Sequence, residues 1–269
     1  MILCPLQPAA TRPSEVLSAW DAIATAQQEG ASAWWLVAQP DHAVLAGELA
    51  AQLDVPEFSR LEDDEARAIA LHDAGWAKYD GGGAAGGGKG AVPQPLRDPS
   101  GRPLSFLQVP VPIFVEAWVA SIHCAEEKAG AIGGLMVSGH FRRLAEHRLT
   151  SVADPPEDAA RIREFVESES RHDAARLPRQ SRSRQQIERL VDVLQFCDLL
   201  SLYLCCGSRA SVQFPQAIGP RPVVLRRDGE LCLLDPSPFP QEISLGVPAR
   251  RDPVSHTEAN TCVLPVLIS

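Results

Sequence analysis

An aspartate in the middle of the most apolar helical segment constrains this chain more than any other feature. Residues 186–206 read QIERLVDVLQFCDLLSLYLCC. On a helix, positions three and four apart share a face, so Asp198 stands with Leu194, Gln195, Ser201 and Leu202, and Val191 lies one turn further on. A carboxylate in such a stripe is costly unless a counter-charge, a donor or a cation meets it. The fold must therefore bring a partner to Asp198. A neighbouring helix end, an arginine or a metal ion would each serve.

Three more segments pose the same problem. His42 lies in QPDHAVLAGELA, with Leu45, Ala46 and Leu49 on its face. The pair His72-Asp73 lies in ARAIALHDAGW, and His140 follows an apolar run in LMVSGHFRRLAEH. Adjacent residues of a helix project about 100° apart, so His72 and Asp73 can serve one ion only at a helix crossing. A lone histidine on an apolar face is usually a hydrogen-bonded core residue. Four such segments in one chain point instead to a metal ion held between helices, which satisfies all five side chains at once.

Composition limits the alternatives. The chain has 269 residues, 45% of them hydrophobic, enough for one large domain or for one domain with a small annex. A net charge of −9 argues against a general nucleic-acid or anionic-membrane binder. The arginine-rich run 171–189 reads as a solvated loop leading into a helix. Seven cysteines without a C-x-x-C pair suggest buried thiols in a reducing compartment. No basic start followed by an apolar stretch and no long apolar run are seen, so the cytoplasm is the expected location.

Along the chain, helical patterns cover about 14–29, 39–53, 63–76, 110–128, 131–148, 157–173 and 183–206. Residues 33–37 read as a strand. Short strands are expected at 212–214, 222–227, 231–234, 243–245 and 262–268, with Asp228-Gly229 as a hairpin turn. Residues 77–105 read as a long flexible loop. Within it, GAAGGGKG approaches a phosphate-cradling loop but has Gly90 where Ser or Thr should stand, and no strand precedes it.

The order H…HD…H…D resembles the HD superfamily, helical proteins in which a histidine, a His-Asp pair and a distant aspartate hold one or two divalent metals. More closely, QPDHAVLAGELA, LHDAGW, the loop from Pro99 to Phe106, VSGH, and LQFCDLLSL followed by PSPFP resemble bacterial domain-of-unknown-function family 3891, over roughly residues 33–268. The resemblance implies a mainly α fold, an HD-like helical bundle with a small antiparallel β-sheet formed mostly by the C-terminal segment. It divides the chain into a helical extension (1–32), an HD-like domain (33–207) and a β-rich segment (208–269). The implied metal ligands are His42, His72, Asp73 and Asp198. His140 is an extra ligand or acid/base, and Asp73 and His140 are the groups implied in catalysis. The chain departs from the HDxGK pattern of many catalytic members, because Trp76 stands at the lysine's place.

A divalent cation (Mn, Fe, Zn or Mg) in such a set lowers the pKa of its water toward 7 for attack on a phosphorus or carbonyl centre. Lys78, Arg142 and Arg143 are the candidate phosphate contacts. The expected activity is hydrolysis of a small phosphate ester or nucleotide. Two other readings stay open: a non-catalytic regulatory protein with a degenerate site, and a di-iron oxygenase on the same scaffold.

Overall fold

The apolar segments around the five polar residues fold as helices, for the reason their periodicity suggests: each must bury one stripe. A computed structural model describes residues 1–7, 16–28, 30–55, 60–80, 94–216, 218, 219 and 221–269. The glycine-rich stretch 81–90, expected within a flexible loop, lies outside the described residues. The helices are α1 (Ala19–Gln28), α2 (Gln39–Ala50), α3 (Asp63–Ala70), the single turn α4 (Ala77–Asp80), α5 (Val111–Ser151), α6 (Pro156–Arg176) and α7 (Arg184–Cys205). Pro40 occupies the first turn of α2, where its missing N–H costs nothing. Ser183 and Gln186 form a reciprocal cap that starts α7. The two helices expected over 110–148 are one long element broken at Ala129 and Gly130, and Gly130 takes a φ of 67° that favours glycine.

The sheet corrects the expected architecture. The fold is not a helical bundle with a small C-terminal antiparallel sheet. Eight strands, β1 (Ile2–Pro5), β2 (Val16–Ser18), β3 (Trp34–Val37), β4 (Ser211–Gln213), β5 (Val224–Asp228), β6 (Leu231–Asp235), β7 (Ile243–Asp252) and β8 (Thr261–Ile268), form one mixed sheet in the order β1-β3-β7-β8-β6-β5-β4-β2. The pairs β2–β4 and β6–β8 are parallel, and the other pairs are antiparallel. Both edge strands come from the first 18 residues, a stretch expected to be a helical extension. Ile2–Pro5 offers three apolar residues and then a proline, and Val16–Ser18 falls inside the helical pattern read over 14–29. Strand β7 is ten residues long, although only 243–245 reads as strand. Gly246 and Pro248 look like breakers, yet both pair in register with β8, opposite Pro265 and Val263.

One apolar cluster joins helices to sheet, including Ile23, Leu45, Phe141, Leu200, Val247 and Val266. Helix α7 runs through it and touches α1, α2, α3, α5 and β1. Every residue from Phe196 to Cys205 is buried, as expected for a helix apolar on all sides. Arg182, just before α7, pairs with Glu62 and the buried Glu65 and so ties the start of α3 to the start of α7. The arginine-rich run expected as a solvated loop is partly helix α6. Arg176 there is buried against Glu126, Glu169 and Asp173.

Candidate metal centre

Four elements deliver the five side chains to one place. His42 comes from α2, His140 from the second half of α5, and Asp198 from α7. His72 and Asp73 do not lie on a helix, as expected, but in the turn after α3. The turn resolves the angular problem of adjacent residues, because leaving the helix frees the two side chains from a fixed 100° separation. Gly75 lets this turn sit against α5. A Cβ there would stand 2.1 Å from the Ala117 carbonyl oxygen, and the Gly75 N–H donates to Ser121 Oγ at 2.9 Å.

The cluster is buried and closely spaced. His42 Nε2 lies 2.9 Å from Asp73 Oδ2, and His72 Nε2 lies 3.2 Å from Asp198 Oδ1 and 3.8 Å from Asp73 Oδ2. His140 Nε2 is 3.7 Å from Asp198 Oδ2. The His72 ring meets those of His42 and His140 edge-on, with centroids 5.1 and 5.4 Å apart. His42, His72 and Asp73 each offer a ligand atom within 4.8 Å of the others, and so do His72, His140 and Asp198.

Hydrogen bonds behind the cluster decide which ring nitrogens are bare. His72 Nδ1 is 2.8 Å from the Ile69 carbonyl oxygen, which can only accept, so the proton is on Nδ1. Ser201 Oγ donates its one hydrogen to the Asp198 carbonyl at 2.8 Å. His42 Nδ1, 2.9 Å away, must then donate to Ser201 Oγ. In both rings Nε2 is therefore the nitrogen that faces a carboxylate oxygen. That contact is repulsive unless a proton or a cation lies between. Ser201 is the functional residue that sequence reasoning missed. Its position three residues after Asp198 was the available signal.

A family model described as "Protein of unknown function (DUF3891)" matches residues 25–251. The chain belongs to this family. Neither a curated protein nor a solved structure matches it.

Charges in this DUF3891 chain act on one another across the cluster. Burial alone would depress His72, but Asp73 and Asp198 overcome it and hold the imidazole raised to about 9. Burial would raise Asp198, yet the hydrogen bond and charge of His72 bring it down to about 2. His140 is pushed down to about 4, mainly by burial, and is neutral at physiological pH. Two carboxylates thus share the positive charge of one proton on His72, at the position where imidazole and carboxylate donors would hold a divalent ion.

A cavity of about 190 Å³ opens from the cluster, with Asp73, His140 and Asp198 among its lining residues. Buried Trp76, Phe114, Trp118 and Phe141 wall it, and the half-exposed Trp20 and Val152 stand at its rim. A larger cavity of about 410 Å³, between 51–54 and 239–243, shares no lining residue with it.

The expected phosphate contacts of this DUF3891 chain lie elsewhere. Lys78 is exposed and pairs with Glu116. Arg142 bonds Ser170 and Asp173, and Arg143 bonds Asp192 and Glu188. None of the three lines the cavity. Long, flexible cations pair with carboxylates wherever the fold leaves them, so nearness in sequence to His72 or His140 does not carry them to the site.

Proposed function

We propose that this chain is a metal-dependent hydrolase of HD type acting on a small phosphate ester. His42, His72, Asp73 and Asp198 would hold a divalent cation, with His140 beside them. The observation that carries the reading is the pair of imidazoles whose Nδ1 hydrogens are committed to Ile69 and Ser201, so that both Nε2 atoms face the carboxylates of Asp73 and Asp198. The resemblance of the H…HD…H…D order to HD phosphohydrolases supports it. Such a cation, when bound, acidifies a water and draws charge from the scissile phosphoryl group.

The chain's own groups supply the rest. The apolar walls exclude bulk water and strengthen every charge interaction at the base of the cavity. The neutral His140 imidazole, whose Nδ1 lacks a partner among the described residues, takes the proton of the attacking water and returns it to the leaving oxygen. A bond forms from water oxygen to phosphorus, and the bond from phosphorus to the leaving oxygen breaks.

The two ligand groups share His72, whose remaining nitrogen has one lone pair. This favours one cation over two, and so a hydrolase over a di-iron oxygenase.

The test is metal analysis of the native protein followed by hydrolysis of phosphate esters before and after chelation. Stoichiometric metal with chelator-sensitive hydrolysis is expected. Protein that stays metal-free under every loading condition would overturn the reading.

A further inference from the structure

The cavity over the cluster has walls, charge and unpaired polar atoms that together define a kind of ligand. Its buried walls are aromatic. Trp118 stacks on Phe141 with planes 17° apart and lies 4.6 Å from Phe114, centroid to centroid. At the rim, Trp20 is 38% exposed and Val152 47% exposed, two of the large apolar side chains that the described residues leave to solvent.

Three residues that line the cavity also carry polar atoms without partners. Gln39 Oε1, Trp76 Nε1 and His140 Nδ1 are buried and lack a hydrogen-bond partner among the described residues, and all three residues line this one cavity. An unsatisfied buried donor or acceptor costs about 1–3 kcal/mol. A ligand that accepts from Trp76 and donates to Gln39 would remove that cost.

Charge narrows the class further. The cavity's one arginine, Arg148, is gripped by both oxygens of Asp154 at 2.7 Å and lies over the Phe114 ring. No uncommitted lysine or arginine lines the walls among the described residues. Among the described residues, a polyphosphate would find the centre itself as the one group to meet its charge. The volume is also below the roughly 300–1,000 Å³ of sites that enclose drug-sized ligands.

We infer that the substrate is a compact aromatic alcohol esterified to a single phosphate, its ring carrying a hydrogen-bonding group and lying between Trp76, Trp118 and Trp20. This rests on the hydrolase reading for the phosphate and on the cavity alone for the ring. The inference excludes nucleoside di- and triphosphates and ringless sugar or glycerol phosphates.

The experiment measures binding by the full-length, manganese-loaded protein of three probes: phenyl phosphate, glycerol 3-phosphate and ATP. Phenol binding to chelator-treated protein is followed by saturation-transfer NMR. Phenyl phosphate should bind at least about tenfold more tightly than the other two, and phenol should bind without metal. Trp20→Ala, a change at an exposed rim residue, should weaken phenyl phosphate about fivefold or more and leave glycerol 3-phosphate unchanged. Trp76→Phe keeps a ring but removes the donor. It should weaken a ring bearing an acceptor, such as 4-hydroxybenzamide, more than it weakens phenol. Equal binding of ringless and ring-bearing phosphates, or a Trp20→Ala protein with the same preference as the parent, overturns the inference. Protein that takes up no metal under any loading condition yet binds phenol leaves the aromatic cavity standing and removes the hydrolase reading. Metal-loaded protein that cleaves glycerol 3-phosphate as well as phenyl phosphate does the reverse.

Discussion

His72 Nε2 lies 3.2 Å from Asp198 Oδ1, although 126 positions separate the two residues. The contact closes a ring of polar groups drawn from α2, the turn after α3, α5 and α7. Loss of either partner strands a buried charge. Asp198→Ala and His72→Ala should therefore each abolish stoichiometric metal binding, measured by elemental analysis after loading and desalting. Retention of a full metal equivalent by Asp198→Ala would remove that residue from the ligand set.

Ser201 acts on the centre through His42. Its hydroxyl accepts from His42 Nδ1 and fixes the tautomer. Ser201→Ala should leave the fold intact and weaken metal affinity about 10–100-fold, the usual effect of losing a partner behind a metal-binding histidine. Ser201→Thr keeps the hydroxyl and should recover part of the loss. Competition with a fluorescent chelator measures both.

Stability of the metal-free protein should depend on pH with a definite sign. His72 is raised in the fold to about 9 from 6.5, so its contribution is complete below about 6.5 and is lost as pH rises through about 9. His140 is lowered to about 4, so its contribution is complete above 6.5 and is lost as pH falls toward 4. Asp198, lowered to about 2, loses its contribution only below its ordinary value of 3.8. The unfolding free energy of chelator-treated protein, from urea titrations, should peak near pH 6.5 and fall by about 1–3 kcal/mol by pH 9.5. Divalent metal should abolish the alkaline fall, because the cation replaces the His72 proton. A midpoint that rises from pH 6.5 to 9.5 without metal would contradict the charge arrangement.

Gly75→Ala tests the turn that carries His72 and Asp73. The added Cβ would stand 2.1 Å from Ala117 O and 2.7 Å from Ser121 N, both backbone atoms. Overpacking of this kind costs about 1–3 kcal/mol or more. The variant should lose both thermal stability and metal affinity, because the turn can move away from α5 only by carrying the His-Asp pair with it. Gly30→Ala, with nothing within 4 Å of the new atom, is the control and should change metal affinity by less than about twofold.

Replacing Lys78, Arg142 or Arg143 by alanine should change binding of a phosphate-bearing probe by less than about twofold. Each is held by a carboxylate away from the cavity. A tenfold loss in any one of them, measured by calorimetry, would place a phosphate site where the structure shows surface pairs.

The sequence made the burden of the five polar residues visible, because a carboxylate or imidazole in an apolar helical stripe needs a partner whatever the fold. Asp198 was legible on this ground alone, as were α2, α7 and the break in α5 at Gly130. Edge strands β1 and β2 were not legible, since Ile2–Pro5 runs into a proline and Val16–Ser18 falls inside a helical pattern over 14–29. Strand β7 was concealed by Gly246 and Pro248, which a sheet accepts only when its neighbours are already in place. Ser201 looked like one more small residue on the Asp198 face, and its role appeared only when His42 arrived from α2.

What the sequence determined by itself was therefore local: where helices bury a stripe, and which side chains cannot stay there alone. Tertiary structure decided who meets whom. It ended α3 early so that His72 and Asp73 leave the helix, brought Ser201 behind His42, and sent Lys78, Arg142 and Arg143 to carboxylates away from the cavity. The reason is physical. The cost of an unpaired buried charge belongs to one residue and its neighbours along the chain, whereas its compensation depends on distances of about 3 Å between segments that only packing brings together.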